Sequence, residues 1–258
     1  MNSGLEVEHL EGHVASIQVR RPPVNALSST LIIELGALLD DLLTAGDARV
    51  VILSGHGGRF CAGFDINELL ASDPRGAIAR NSPLIAVLQQ VEDYPLPVIA
   101  AIERYALGGG CELAMACDVR VSASDALIGL PEINLGGLPG LGGMQRMARL
   151  VSPGKAKQLV LTGSSITGEE AWRIGLVDEV TEPGGALGKA YELAKVIASR
   201  APLSVRAGKR AINAGRTLPT AAAIALDLEA IGAISVTEDR AESLRAFVDK
   251  RAPTIVGR

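Results

Sequence analysis

Cysteine and histidine are both scarce in this chain. Of its 258 residues, three are cysteine and three are histidine. Cys61, Cys111 and Cys117 are odd in number and lack the spacing of a zinc site. We interpret them as reduced, mostly buried residues. A nucleophilic Cys61 or Cys111 is the alternative, and neither has an obvious histidine partner in the sequence.

An excess of positive charge and long apolar runs are also lacking. The formal net charge is −4, which does not suggest a nucleic-acid-binding surface. No apolar run approaches the roughly 20 residues that a membrane helix needs. The opening stretch, MNSGLEVEHLEG, resembles neither a signal peptide nor a transit peptide. We therefore expect a cytoplasmic protein without nucleic-acid or membrane partners.

The apolar residues that are present alternate between strand-like and helix-like patterns. Strands are predicted at residues 14–20, 50–55, 97–103, 118–123 and 176–180. Helices are predicted at 29–43, from Ser82-Pro83, from Ser152-Pro153, at 167–175 and throughout most of the chain after residue 186. Strands alternating with helices favour an α/β core with a largely parallel sheet, followed by a helical tail.

One arrangement occurs twice: an apolar strand, a glycine-containing loop and the start of a helix. The two strands begin at Val50 and Val98, and the second loop contains three consecutive glycines, 108–110. In the first copy Asp65 is a suitable N-cap, with Glu68 three residues later. Loops at the carboxyl ends of adjacent parallel strands lie side by side, so both helix starts would favour negative charge at one spot. A tight turn with close packing is the alternative for the glycines.

Two carboxylates accompany these loops. Glu112 lies in the first turn of an otherwise apolar helix, and Glu132 follows Pro131 before a glycine-rich stretch. Each has a simpler alternative: an acid favoured by the helix dipole for Glu112, and an exposed loop acid for Glu132. If both share an apolar site, the pKa of one rises, which provides an acid and a base at neutral pH. Such a pair is suited to adding water across a double bond or removing it.

These stretches together resemble the crotonase superfamily, also called the enoyl-CoA hydratase/isomerase family. The resemblance covers nearly the whole chain and is carried by FCAGFDINEL (60–69), ALGGGCELAMACD (106–118), LPEINLGGLPGLGGMQRM (130–147), AKQLVLTGSSITGEEAWRIGLVDEV (156–180) and AFVDKRAP (246–253).

The resemblance implies a role for several residues. The backbone N–H groups of Phe64 and Gly109 would form an oxyanion hole for an acyl-CoA thioester. Glu112 and Glu132 would be the acid/base pair, with Glu112 activating water and Glu132 protonating the α-carbon, and no metal or redox cofactor is implied. The remaining implied contacts to CoA and substrate are Val24, Ala62, Gly63, Asp65, Ile66, Phe247 and Lys250; an ordinary exposed lysine is the alternative for Lys250.

The family also implies an architecture. We expect a spiral of ββα turns at residues 1–200 with the active site, and a helical segment at 201–258 for assembly into a trimer or a dimer of trimers. CoA would pass along the first motif with its adenine near residues 20–27, and residues 71–90 would line the acyl pocket. The implied activity is that of an enoyl-CoA hydratase, a hydro-lyase acting on a 2-enoyl-CoA.

Some positions depart from the family pattern. Glu103-Arg104 stands where Asn-Gly is usual, Met144 where threonine is frequent and Asn67 where lysine is frequent. Within the same fold, an isomerase, decarboxylase or thioesterase also stays open, as does a scaffold without activity. A nucleotide-binding oxidoreductase, suggested by GGLPGLGG (136–143), is disfavoured because these glycines do not follow a strand within a βαβ unit near the N-terminus.

Overall fold

The computed structural model of this chain describes residues 4–70 and 74–258. The strands are β1 Leu5–Leu10, β2 Val14–Val19, β3 Val50–Gly55, β4 Val98–Ile102, β5 Tyr105–Leu107, β6 Val119–Ala123, β7 Leu127–Gly129, β8 Ser165–Thr167 and β9 Glu179–Thr181. The α-helices are α1 Ser29–Ala45, α2 Ile66–Leu70, α3 Pro74–Asp93, α4 Gly109–Ala116, α5 Gly143–Leu150, α6 Pro153–Thr162, α7 Gly168–Arg173, α8 Ala186–Ala198, α9 Pro202–Gly215, α10 Thr220–Ser235 and α11 Glu238–Val248. A 3₁₀ helix occupies Pro131–Leu135.

The central sheet has six strands in the order β1-β2-β3-β4-β6-β9. β1 pairs antiparallel with β2, and every other neighbouring pair is parallel. A smaller sheet contains β5, β7 and β8. The predicted α/β class with a largely parallel sheet is therefore confirmed. The loops that follow β3 and β4 also lie side by side, because Cys61 pairs in parallel with Ala106.

The two faces of the sheet bury different partners because strand side chains alternate between faces. Val51 and Leu53 belong to the core cluster that includes the buried sides of α1 and α3. Val50 and Ile52 pack with α8 in a second cluster. The buried residues of α8 are all alanines at four-residue spacing, which lets the helix approach the sheet closely: Ala186, Ala190, Ala194 and Ala198.

Glu103, which departs from the family pattern, has a structural partner. Its two carboxylate oxygens accept hydrogen bonds from the N–H groups of Ala186, at 2.8 Å, and Gly184, at 3.0 Å. A carboxylate at a helix N-terminus satisfies otherwise free donors and complements the helix dipole. Glu103 therefore caps α8, while Arg104 adopts the left-handed conformation with φ of 56°.

The predicted helix start at Ser82-Pro83 is wrong, because Pro83 lies inside α3. Proline cannot donate the usual helical hydrogen bond, and the Ser82 hydroxyl donates to the Ile78 carbonyl at 2.9 Å in this turn. The helix continues because its buried face does: Leu84 and Leu88 are no more than 1% exposed. Packing of this face outweighs the local preference.

Two other predictions at the chain level need adjustment. The strand predicted at 176–180 begins only at Glu179, because the N–H groups of Leu176 and Val177 donate to the Ala171 carbonyl and close α7. The sequence analysis also missed β1 and the three-residue strands of the small sheet. In contrast, the helix starts predicted at Ser152-Pro153 and at residue 167 are confirmed, since the side chains of Ser152 and Thr167 cap these helices by accepting from the third backbone N–H that follows.

In residues 4–70 and 74–258, no helix taken alone has both the length and the apolar composition of a membrane span. Within the same residues, α10 and α11 reach that length and composition only when the two are taken together, and they are bent by 77° relative to each other.

Candidate active site

A cavity of about 560 Å³ lies beside the loops that follow β3 and β4. Seven of the residues that the sequence indicated line it, and these come from both copies of the repeated arrangement and from the 3₁₀ helix. They are Ala62, Gly63, Phe64, Ile66, Gly109, Glu112 and Glu132. The fold thus brings the two carboxylates and both candidate oxyanion donors to one space.

The N–H groups of Phe64 and Gly109 are close together, and neither has a hydrogen-bond partner among residues 4–70 and 74–258. In the parallel bridge between Leu27 and Phe64, the hydrogen bonds are made by the Gly63 carbonyl and the Asp65 N–H, which leaves the Phe64 N–H unused. Gly109 is the first residue of α4, so its N–H has no partner within the helix. A Cβ built on Gly109 would lie 3.5 Å from the Phe64 nitrogen. An oxygen placed between the two groups would have two donors.

Each glycine of the triplet meets a different constraint. Gly108 has φ of 51°, and a Cβ there would lie 2.9 Å from Glu132 Oε1. A Cβ on Gly110 would lie 2.6 Å from the Cys61 carbonyl oxygen. Gly109 does not have a left-handed φ, and its nearest neighbours are at ordinary contact distance. The triplet is therefore a turn and a close-packing site at its ends, and its middle residue could accept a methyl group at ordinary contact distance.

Glu112 is buried, with 2% of its surface exposed. Its Oε1 accepts two hydrogen bonds of 2.7 Å, from the N–H groups of Leu141 and Gly143. Burial raises the pKa of Glu112 from its ordinary value of 4.5 to about 7; the nearby Glu132 raises it too, while the two N–H donors and Arg146 oppose the rise. A carboxyl with such a pKa exchanges protons near neutral pH.

Glu132 lies in the second position of the 3₁₀ helix and is half-buried. Its Oε2 is buried and has no hydrogen-bond partner among the described residues. Loss of hydration raises the pKa of Glu132, opposed only by its own backbone N–H. Glu132 therefore lacks the N–H donors from neighbouring residues that oppose the rise in the pKa of Glu112.

Sequence reasoning missed the loop that holds Glu112. Residues 140–143 connect the 3₁₀ helix region to α5, and two of their N–H groups point to the Glu112 carboxylate. A Cβ on Gly143 would lie 2.7 Å from the Cγ of Glu112, which explains glycine at this position. The glycine-rich stretch that suggested a nucleotide site is thus packed around a carboxylate. The sequence signal that could have indicated this loop is the glycine-rich stretch 136–143, which comes directly before the short helix α5 with Arg146.

The outer wall of the cavity is mostly aliphatic. It includes Leu69, Leu70, Leu135 and Leu138, together with Arg80 and Asn81 from α3. The guanidinium of Arg80 lies 5.6 Å from the centre of the Phe64 ring. Of the predicted acyl-pocket segment 71–90, residues 71–73 lie outside the described residues, and Arg80 and Asn81 are the described members that reach the cavity.

Four of the indicated residues do not line this cavity: Val24, Asp65, Phe247 and Lys250. The carbonyl of Val24 accepts from the Ala62 N–H, and Asp65 forms an ion pair of 3.0 Å with Arg21 that holds its pKa below the usual range. Phe247 is 83% exposed at the end of α11, and Lys250 follows it. The chain by itself does not bring these last two residues to the cavity.

All three cysteines are buried and free. Burial raises the pKa of the Cys61 and Cys117 thiols to about 12, and that of Cys111 still further. A thiol in this condition is a poor nucleophile. The interpretation as reduced core residues is confirmed. The described part of the chain also contains no group of three or more metal-ligating side chains suited to a metal ion.

A larger cavity, about 800 Å³, lies where α9 and α10 meet the end of α3. None of the residues that the sequence indicated lines it. The two acids that line it, Glu92 and Asp93, are already engaged: Glu92 pairs with Arg146 and Arg216, and Asp93 accepts from Gln89. Because it also lacks the glycine loops, its greater volume does not make it the better candidate for catalysis.

Known proteins are similar to this chain in sequence and in fold. The family model described as enoyl-CoA hydratase/isomerase matches residues 9–258. The "Short-chain-enoyl-CoA hydratase" of Clostridium acetobutylicum is 41% identical over 93% of each chain, and the "Crotonyl-CoA hydratase" of Syntrophomonas wolfei is 38% identical over 96% of each. A crystal structure described as enoyl-CoA hydratase from Bacillus anthracis has a TM-score of 0.95 at 38% identity, covering 99% of this chain and 100% of that one.

The match extends over the whole architecture, including the sheet, the two glycine loops and the helical tail. The chain belongs to the enoyl-CoA hydratase/isomerase family. The resemblance stated from the sequence motifs and the expected crotonase-like α/β fold are both confirmed.

Proposed function

We propose that this protein is a hydro-lyase that adds water across the C2=C3 double bond of a 2-enoyl-CoA. The observation that carries the proposal is the meeting of Glu112, Glu132 and the free N–H groups of Phe64 and Gly109 at one cavity. Relatives that are named as hydratases at about 40% identity support the same activity.

The two N–H groups act on the thioester carbonyl. Attack of water at C3 pushes electrons through C2 onto the carbonyl oxygen, which becomes an enolate oxygen. Donors already aimed at that position stabilise the charge without reorganising, and the loss of one typically costs about 2.7–4 kcal/mol. Since both contacts come from the backbone, phenylalanine is compatible with position 64.

The carboxylates divide the proton transfers. Glu112 takes a proton from water as its oxygen bonds to C3, and Glu132 gives a proton to C2 as the enolate collapses. Glu112 is assigned to water because the Leu141 and Gly143 N–H groups hold its carboxylate in place; burial raises the pKa of both carboxyls. The two groups titrate as a pair, so the rate profile reports apparent pKa values of both.

Other reactions of the same fold use less of this equipment. A double-bond isomerase, a decarboxylase or a thioesterase does not require two carboxylates around one water. The retained pair favours hydration, and it also argues against a scaffold that has lost its chemistry. We expect hydration without a metal or redox cofactor, so treatment with a chelator should leave the rate unchanged.

We also propose a homo-oligomer, a trimer or a dimer of trimers. α10 has no buried residue, and its side chains Ile224, Leu228 and Ile231, on one face, are each more than half exposed. An apolar face of this kind is typical of a surface that another chain covers. In such an assembly Phe247 and Lys250 would contact the CoA of a neighbouring copy.

The proposed location is the cytoplasm.

Glu132→Gln tests the proposal. We expect normal folding and thioester binding, with hydration of crotonyl-CoA reduced about 10²–10⁴-fold because the amide cannot supply the proton. The assay is the loss of absorbance of the conjugated thioester. Glu179→Gln, an exposed acid of β9, is the matched control and should be fully active. Near-normal turnover by a stable Glu132→Gln protein would contradict the paired-acid mechanism.

A further inference from the structure

Three consecutive peptide groups beside Glu112 are held by hydrogen bonds. The peptide between Gly140 and Leu141 donates its N–H to Glu112 Oε1, while its carbonyl accepts from Asn81 Nδ2 at 3.3 Å. The next carbonyl, that of Leu141, accepts from Arg146 Nη1 at 2.8 Å. The third peptide donates the Gly143 N–H to the same Glu112 oxygen. Every group of this loop that faces Glu112 therefore has an opposing restraint.

Arg146 is placed for this restraint rather than for contact with solvent. It is 6% exposed, and its Nε pairs with Glu92 Oε2 of α3 at 3.0 Å. A Cβ at position 142 would lie 2.7 Å from Arg146 Nη1, and Gly142 has φ of 91°. The loop thus wraps closely around the guanidinium. A buried ion pair adds little net stability on its own, because desolvation offsets the attraction, so another role is needed to explain it.

We propose that Arg146, oriented by Glu92, is a positioning residue that fixes loop 140–143 so that the Leu141 and Gly143 N–H groups engage Glu112 Oε1 and leave Oε2 for the reacting water. This inference rests on the proposed hydratase function. It concerns residues that do not line the cavity, since neither Arg146 nor Glu92 is among its wall residues.

Two short hydrogen bonds to one carboxylate oxygen define its direction. Bonds from N–H groups to an ionised carboxylate are stronger than neutral ones, and a displacement of about 1 Å at a reacting group can cost 10²-fold in rate. Arg146 acts on this geometry through the Leu141 carbonyl. The Leu141 carbonyl belongs to the middle peptide, and the two N–H donors belong to the peptides on either side of it. Without the guanidinium the middle peptide loses its hydrogen bond, so the two donors lose the restraint that lies between them.

The charged and titratable groups that face Glu112 set the expected pH response. They are Glu132 from the 3₁₀ helix, Arg146 from α5, Cys111 from α4 and, across the cavity, Arg80 from α3. The two N–H donors and Arg146 favour the ionised carboxylate, against burial and Glu132. Loosening the loop therefore raises the pKa of Glu112 and moves the acidic limb of the rate profile to higher pH.

The test compares Arg146→Lys, Arg146→Gln and Glu92→Gln with Arg216→Gln. Arg216 pairs with the other oxygen of Glu92 at 3.4 Å and forms no hydrogen bond or ion pair with loop 140–143 in the described part of the chain, so it is a matched control. For crotonyl-CoA hydration we expect kcat to fall about 10–100-fold in both Arg146 variants and less in Glu92→Gln. KM should stay within about threefold, and Arg216→Gln should match the wild type.

A second readout does not depend on activity. Titration of ¹³C-labelled glutamate carboxyls, with the Glu112 signal assigned from its loss in Glu112→Gln, should show a higher midpoint in the Arg146 variants and an unchanged one in Arg216→Gln. If folded Arg146→Lys retains wild-type kcat and midpoint, the positioning role is overturned; if Arg146 variants do not fold, Glu92→Gln decides by the same two measurements. If the wild type has no hydratase activity but the Glu112 midpoint is still higher in the Arg146 variants, the proposed function is rejected and the positioning role is kept.

Discussion

At the residue scale, the glycine triplet permits a test in which the same substitution has three different outcomes. Alanine fits at Gly109 without strain, but its methyl group lies 3.5 Å from the Phe64 nitrogen, where the thioester oxygen must approach. We expect Gly109→Ala to retain its melting temperature within a few degrees and to lose about 10²-fold or more in kcat/KM, comparable with the loss of one oxyanion donor.

The flanking glycines are the controls. In Gly110→Ala the methyl group would overlap the Cys61 carbonyl, so the loss should be mainly of stability, about 1–3 kcal/mol. In Gly108→Ala a left-handed backbone and the contact with Glu132 should lower stability and activity together. A fully active Gly109→Ala protein would remove Gly109 from the oxyanion hole.

Glu112 carries a pH-dependent cost to stability. Its pKa is raised by burial, so the carboxyl is protonated in both the native and the unfolded chain below about pH 4.5 and its contribution to stability is then complete. As the pH rises through about 7, the native carboxyl ionises in a buried site and that contribution is lost. The loss amounts to about 3 kcal/mol at most, from the factor of 1.36 kcal/mol per pKa unit.

The free energy of unfolding of Glu112→Gln, relative to that of the wild type, should therefore be higher at pH 9 than at pH 5. Denaturant unfolding of both proteins at the two pH values and at one protein concentration measures the difference. A difference that does not change with pH would mean that the carboxyl is not desolvated as its burial indicates.

At the element scale, the junction between β4 and α8 illustrates how one side chain can join two layers. Glu103 follows β4 directly and closes the N-terminus of α8, whose alanine stripe covers the sheet. Glu103→Ala should cost about 1–2 kcal/mol of unfolding free energy, the usual range for loss of an N-cap. The unfolding free energy of Glu103→Gln should lie between those of the wild type and Glu103→Ala, because the amide retains one acceptor.

Glu182→Ala provides the comparison in the same loop, since Glu182 is exposed, and it should change stability by less than about 0.5 kcal/mol. Melting curves of Glu103→Ala, Glu103→Gln and Glu182→Ala measure the order of their stabilities. Equal stability of Glu103→Ala and the wild type would show that solvent replaces the cap.

At the scale of the whole molecule, the apolar face of α10 predicts assembly. Leu228 is 65% exposed and Ile231 64% exposed in the single chain. We expect light scattering of the wild type to give a multiple of three times the chain mass of 26.7 kDa. Leu228→Glu together with Ile231→Glu should release smaller species, because a charge is costly to bury in an interface.

Asp227→Asn, on the same helix, is the matched surface variant and should assemble normally. A wild type that remains at the mass of one chain at micromolar concentration would contradict the proposed oligomer. The boundary between a core at 1–200 and a tail at 201–258 stays a prediction.

Features that depend on short-range patterns were determined by the sequence itself. The parallel strands β3 and β4, the glycine loops after them, and the caps Ser152 and Thr167 all follow from residues close together in the chain. Five motif stretches, 60–69, 106–118, 130–147, 156–180 and 246–253, together carried the resemblance to the family, which the comparisons confirm. Local propensity and repeated spacing carry such information because their partners lie within a few residues.

Only the tertiary structure decided the features whose partners are distant in sequence. The Leu141 N–H reaches Glu112 over 29 residues, Arg146 meets Glu92 over 54, and Glu103 caps α8 over 83. Pro83 stays inside α3 because the buried side of that helix packs in the core, against its local preference. A single sequence contains both members of each pair but not their proximity, which arises when burial of the apolar strands brings separate loops together.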